Sequence, residues 1–447
     1  MGQDKSFLLT DLYQLAMMQA YFKAGETGTA VFEFFVRKLP DTWGFLVAAG
    51  LEQALDFLET LHVSEAELDW LERSGHVGPS LTSRLRDFRF TGDVHAMPEG
   101  TVFFPHEPIL RVTAPLPQAQ YVETRLINLL HFQTLIASKA ARMVLAAKGR
   151  TLIDFGLRRA HGAEAGLLAA RAAYLAGFDG SANVQAERAF GVPAFGTMAH
   201  SFVHCFADET LAFEQFARAR PENLVLLIDT YDTEAGARKV VALAPRLREM
   251  GITIGAVRLD SGDLGALSVS VRQILDSGGL RAVRILASGG LDEAEISRLL
   301  RNGAPIDGFG VGTSLTTSSD AAALDCAYKL QEYAGLPRRK RSTGKATWPG
   351  RKQVWRSIGP DGRIAGDTIS VDGEPREGTP LLQQVMRAGE RVLPPPSLDE
   401  IRATTASGLE RLPEPLRRLT PGAHFPVEIA PALVALAQEA DRIVNPT

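Results

Sequence analysis

The chain has 447 residues but only two cysteines, Cys205 and Cys326. Two thiols cannot build a disulfide framework, so the fold must rest on a packed core, and the composition suits a reducing compartment. No run is long and apolar enough to cross a bilayer, and the opening MGQDKSF lacks the basic and apolar regions of a secretory signal. A soluble, cytoplasmic protein is the expectation. An excess of one charge is missing too, because 48 Lys and Arg stand against 52 Asp and Glu, a formal charge of −4. With no global basic field, nucleic acid and anionic membrane are not expected partners, and an anionic ligand needs a local basic pocket. The basic run Arg338–Arg341 carries no interleaved aromatics of the kind that stack on single-stranded bases, so it reads as a solvated surface or an interface. Internal repeats and extended low-complexity segments are absent.

What is present is a hydrophobic content of 45%, ample for large cores, on a length that suggests two or three packed units. Residues 1–148 mix helix and strand: LLTDLYQLAMMQAYF has helical spacing, VFEFFVR reads as a strand, and Ser64 with Glu67 forms a capping box. Gly and Pro punctuation from Phe88 to Val112 suggests a small antiparallel sheet, and Tyr121 to Lys148 a long helical region. After Gly149 short apolar runs alternate with helical patterns: TLIDFG, SANV, VPAFGT, NLVLLIDT, TIGAVRLD, VRILASGG and IDGFGVG. Such alternation implies a parallel sheet with crossover connections. Ionisable and small residues end many successive strands, which favours a barrel with its site on that face over an open sheet with one switch point. The expected fold class is therefore α/β. Residues 149–335 would form an irregular TIM-like α/β barrel with seven strands rather than eight, preceded by an N-terminal α+β domain. Residues 336–447, with a PPPS linker and a helix capped by Ser397 and Glu400, would form a small C-terminal domain.

Candidate chemistry gathers at the strand ends. His200, in GTMAHSF, follows a run from Val192 to Phe195 that reads as a strand, a place where a ring nitrogen can meet a phosphate or where a core histidine is satisfied by its neighbours. Arg258 and Asp260 alternate with Val257 and Leu259, so both point to one side of their strand and need a partner or a ligand. Asp263, and Asp232 in IDTYD, suit helix caps, with Asp229 a further candidate for a metal or hydroxyl contact. Arg158 and Arg159 follow TLIDFG as either a solvated basic turn or a phosphate contact. The glycines of SGG (Ser288, Gly289, Gly290) and GVGT (Gly312, Thr313) are tight turns, or backbone cradles for phosphate where late barrel strands place them together.

Taken in order, LLTDLYQ, FEFFVRKLP, NLLHFQTLIASKAAR, DFGLRRAHG, GTMAHSF, RLDSGD, ASGG, GFGVGTSL and TGKATWPGRKQVWR resemble the nicotinate phosphoribosyltransferase family nearly from end to end. The resemblance implies transfer of phosphoribose from 5-phosphoribosyl 1-pyrophosphate to the ring nitrogen of nicotinate, giving nicotinate mononucleotide and pyrophosphate in NAD salvage. It implies coupling to ATP through phosphorylation of His200, and Mg²⁺ held mainly by pyrophosphate, with no ligand set assigned. A homodimer is implied as well, with Arg37 and Lys38 possible contributors to a partner's site. On that reading Tyr13 stacks on the pyridine ring, while Arg258 and Thr197 bind near its carboxylate. Arg158 or Arg159 meets pyrophosphate, Asp260 holds ribose hydroxyls, and backbone amides at Gly289, Gly290, Gly312 and Thr313 cradle the 5-phosphate, with Ser201 and Ser288 as further substrate contacts. The related nicotinamide enzyme carries an acidic residue where Ala182 stands, so Ala182 favours the acid as substrate. Quinolinate phosphoribosyltransferase shares the general architecture but is shorter and lacks the AHS element. An aldolase or isomerase would want a strand-end lysine or glutamate, and a non-catalytic phosphometabolite sensor would not need His200, Arg258 and Asp260 intact.

Overall fold

In a computed structural model of the chain, residues 6–419 and 425–444 are described. Met1 to Lys5, most of the segment read against a secretory signal, lie outside the described residues. Contacts gather into two compact units, Lys139–Ala322 and Met1–Ser138 with Ala323–Thr447.

The first of these carries a parallel sheet of six strands: β1 (Thr151–Asp154), β2 (Gly180–Ser181), β3 (Leu224–Leu227), β4 (Ile254–Leu259), β5 (Arg284–Ser288) and β6 (Gly308–Val311). Their order is β2-β1-β6-β5-β4-β3, and every pairing is parallel. Crossover helices cover the sheet, so β1, β3 and β6 are buried along nearly their whole length, as their apolar runs require. Three of those helices start on an aspartate at the end of a strand–helix loop. Asp232 accepts the Ala235 N–H at 2.6 Å, Asp263 accepts from Gly265 and Ala266 at 3.0 and 3.1 Å, and Asp292 accepts from Glu295 at 2.8 Å.

The expected seven-stranded TIM-like barrel is corrected to a six-stranded half-barrel, with β2 and β3 as its ends among the described residues. The missing strand is VPAFGT. Pro193 has no N–H to give a ladder, and the segment makes a single parallel bridge, Ser181 to Ala194. Its two hydrogen bonds run from Ser181 N to the Pro193 carbonyl at 3.0 Å and from Phe195 N to the Ser181 carbonyl at 2.9 Å.

The other unit is built from both ends of the chain. Its seven-stranded sheet runs in the order Leu336–Pro337, Cys326–Tyr333, Thr29–Val36, Pro108–Pro115, Asp93–Ala96, Gln383–Arg387 and Glu390–Arg391. The stretch Ala30–Val36 is buried throughout, so the strand that holds it is central. A four-stranded sheet contains Lys352–Ile358 and Ile364–Val371. Residues beyond Gly335, expected to form a domain of their own, thus share a unit and a sheet with the N-terminal segment. Both capping boxes form, at Ser64 with Glu67 and at Ser397 with Glu400. The helical region near Tyr121 is two helices, Leu116–Tyr121 and Glu123–Ala147.

Candidate active site

The C-terminal ends of five of the six parallel strands surround a cavity of about 570 Å³. Strand β4 delivers Arg258 and Asp260 to it, as the alternation with buried Val257 and Leu259 requires. Arg258 Nη1 donates to Thr197 Oγ1 at 2.6 Å, and its Nη2 lies 3.9 Å from Asp260 Oδ1. Burial pulls the guanidinium below its ordinary pKa; Asp260 and Asp229 oppose that fall and Arg158 adds to it. The carboxylate Oδ1 of Asp260 accepts the Ser288 hydroxyl at 2.5 Å, so β4 and β5 are tied at the cavity floor.

Two buried polar atoms at this wall have no partner among the described residues, Arg258 Nε and Asp229 Oδ1. The other oxygen of Asp229 accepts from Asp260 N at 2.8 Å and from Ser261 Oγ at 2.7 Å. Among the described residues no three His, Cys, Asp or Glu side chains gather into a metal cage. Asp260 and Asp229 are the carboxylates available here to a cation that arrives with a ligand.

Gly289, Gly290, Gly312 and Thr313 also line the cavity, at the ends of β5 and β6. Arg158 and Arg159 line it from a single 3-10 turn, Leu157–Arg159, and both are exposed. His200 opens a five-residue helix, His200–His204, at the rim. Its Nδ1 meets Thr230 Oγ1 at 3.1 Å and its Nε2 lies 3.9 Å from Asp260 Oδ2. It follows an irregular segment, not the expected strand, for the reason given for Pro193.

Three models match the chain in succession: the nicotinate phosphoribosyltransferase N-terminal domain at residues 8–131, the family's core at 151–335, and its C-terminal domain at 374–437. A nicotinate phosphoribosyltransferase of Mycobacterium tuberculosis is 48% identical over 429 residues, 96% of this chain and 92% of the relative. The chain belongs to the nicotinate phosphoribosyltransferase family. Among solved structures, human nicotinic acid phosphoribosyltransferase superposes with a TM-score of 0.86 at 31% identity, over 96% of this chain and 99% of the other. A nicotinate-nucleotide pyrophosphorylase from Pyrococcus furiosus gives a TM-score of 0.75 at 28% identity, over 92% and 96%.

Set beside the positions that the family resemblance singles out, the cavity brings together Thr197, Arg258, Asp260, Ser288, Gly289, Gly290, Gly312, Thr313, Arg158 and Arg159. Ser201 is placed elsewhere. It is exposed, and its carbonyl accepts the Cys205 thiol at 3.2 Å. Successive helical residues diverge by about 100°, so a helix that presents His200 to Asp260 turns Ser201 away. Tyr13 belongs to the unit that does not hold the cavity, where it is 48% exposed and donates to Glu123 Oε2 at 3.3 Å. Burial and the neighbouring Glu123 raise its phenol pKa.

Phe155 is a wall that sequence reasoning missed. Its ring lies 5.9 Å from the Arg258 guanidinium and fills the space beside Gly310, where a β-carbon would stand 2.5 Å from the ring. Glycines at alternate positions of GFGVG, Gly308 and Gly310, are the signal that something bulky crosses that strand face.

Proposed function

We propose that this chain joins nicotinate to the phosphoribosyl group of 5-phosphoribosyl 1-pyrophosphate, giving nicotinate mononucleotide and pyrophosphate for NAD synthesis. The observation that carries the reading is one cavity holding an anion pocket, Arg258 with Thr197, beside a hydroxyl-binding carboxylate, Asp260, and two glycine turns. A pyridine carboxylate suits the first and ribose hydroxyls the second. Backbone N–H groups of Gly289, Gly290, Gly312 and Thr313 suit the 5-phosphate.

Departure of pyrophosphate leaves positive charge on the anomeric carbon, and the pyridine lone pair attacks it with no proton to remove. Catalysis then rests on holding both reactants in line and on charge near the leaving group. Arg158 and Arg159 supply that charge from the protein. Mg²⁺ carried in by pyrophosphate would neutralise the rest, and Asp260 and Asp229 are the carboxylates that would be offered to it. Ala182 lines the cavity and places no acid against the nicotinate carboxylate, which favours the acid over nicotinamide.

His200 couples the reaction to ATP by taking the γ-phosphoryl group on a ring nitrogen and passing it to water. The reading carries with it a cytoplasmic homodimer, with Tyr13 stacking on the pyridine of an assembled site. Product and ADP measured together test it. His200→Ala should still form nicotinate mononucleotide, while ATP no longer raises the yield and ADP release stops. Unchanged coupling in that variant removes His200 from the scheme, and a wild type that binds 5-phosphoribosyl 1-pyrophosphate yet makes no product marks a binding protein instead.

A further inference from the structure

We infer that Asp154 is a positioning residue that sets two walls of the substrate cavity from one buried carboxylate. It stands at the end of β1 with 1% of its surface exposed. Its Oδ1 accepts the Gly156 N–H at 2.8 Å, and the Gly156 carbonyl in turn accepts the Arg159 N–H at 2.8 Å, so this arm fixes the turn that carries Arg158 and Arg159. Its Oδ2 accepts the Ser181 hydroxyl at 2.6 Å, and its main-chain carbonyl accepts the Ala182 N–H at 2.8 Å. Ser181 Oγ also accepts the Asn183 N–H at 3.0 Å, so the second arm fixes the turn that carries Ala182.

No cation lies within ion-pair distance of Asp154 among the described residues, and burial raises its pKa against the pull of its hydrogen bonds. A buried carboxylate without a counterion is costly, and fold stability alone would favour an amide there. An amide cannot do the same work. Asparagine has one acceptor oxygen for two facing donors, so either the Gly156 or the Ser181 contact must break or reverse. The carboxylate is what allows both arms to be held at once.

The assignment rests on the proposed transferase reading, in which the arginine turn meets pyrophosphate and Ala182 flanks the pyridine. Steady-state kinetics in both substrates test it. Asp154→Asn should raise KM for 5-phosphoribosyl 1-pyrophosphate and for nicotinate by about tenfold each, the order expected when hydrogen bonds to a charged group are lost, while kcat falls less. Ser181→Ala touches one arm only, so it should raise KM for nicotinate and change the cosubstrate KM by less than about twofold. In an Arg158→Ala/Arg159→Ala background, Asp154→Asn should no longer move the cosubstrate KM. If Asp154→Asn fails to fold, Ser181→Ala carries the test. A wild type that forms nicotinate mononucleotide, with an Asp154→Asn variant that moves neither KM or a Ser181→Ala variant that moves both equally, overturns the assignment alone. A wild type that forms none overturns the functional reading and this assignment with it.

Discussion

A β-carbon at Gly289 would stand 2.1 Å from the Asp260 carbonyl oxygen, and its φ of 93° is one that side chains rarely adopt. Its neighbour Gly290 has φ 63° with open space around it. The two therefore respond differently to the same change. Gly289→Ala should cost about 2–3 kcal/mol and weaken 5-phosphoribosyl 1-pyrophosphate binding, because relief of the clash must shift β4 against β5. Gly290→Ala should cost only about 1 kcal/mol, the penalty of the left-handed conformation alone. Urea denaturation ranks the two, and equal losses would mean that crowding against Asp260 is relieved without cost. Such glycines are legible in sequence, as is the Arg258–Asp260 alternation, because both are local. Phe155, Asp154 and Thr230 are not. Asp154 pairs with Val311 across the sheet, and Thr230 meets His200 from thirty residues away, so their meaning appears only when distant strands are laid side by side.

Elements announce themselves best where a cap is written in adjacent residues. The Ser64–Glu67 box forms as expected, and Ser6 joins it by donating to Glu67 at 2.6 Å, a contact sixty-one residues apart that no local pattern contains. Burial pushes the Glu67 pKa up, but hydrogen bonds from Ser6, Ser64 and backbone amides outweigh it and bring the net value below the ordinary 4.5. A carboxylate held below its unfolded value contributes stability above that value and loses it as pH falls through the folded one. Glu67→Gln should therefore destabilise the protein by about 0.5–1 kcal/mol at pH 7, with the gap closing as pH drops below the ordinary carboxyl value. Melting curves across that range check the sign, and a gap that widens in acid would refute it. Strand VPAFGT fails by the same local logic read in reverse. Its apolar pattern promised a ladder, but Pro193 offers no donor, and the half-barrel stays open where the barrel would have closed.

At the scale of the whole molecule, hydrophobic periodicity identified α/β alternation and its run of crossover units, because each is continuous in the chain. It did not record that segments from both chain ends share one sheet, since nothing local carries that pairing. Buried charges carry that information instead. Glu33, fully buried in the central strand Thr29–Val36, pairs with Lys352 at 2.7 Å, and buried Arg111 pairs with Asp372 at 2.9 Å and donates to the Lys352 carbonyl at 2.9 Å. Burial raises the Glu33 pKa against the opposing pull of Lys352 and Arg111. A chain ending at Gly335 would keep Glu33 and Arg111 side by side but lose Lys352 and Asp372, the ion-pair partners of each. Breaking a buried ion pair costs about 3–5 kcal/mol, a large share of the stability of a typical domain. The same truncation strips Gln383–Arg387 from Asp93–Ala96 and bares an unpaired strand edge. Residues 1–335 expressed alone should therefore aggregate or lack a cooperative melt, even though they contain every residue of the cavity. Size-exclusion chromatography and near-ultraviolet circular dichroism decide it: a monodisperse, cooperatively melting 1–335 fragment would show that the C-terminal segment is an appendage and not half of a shared core.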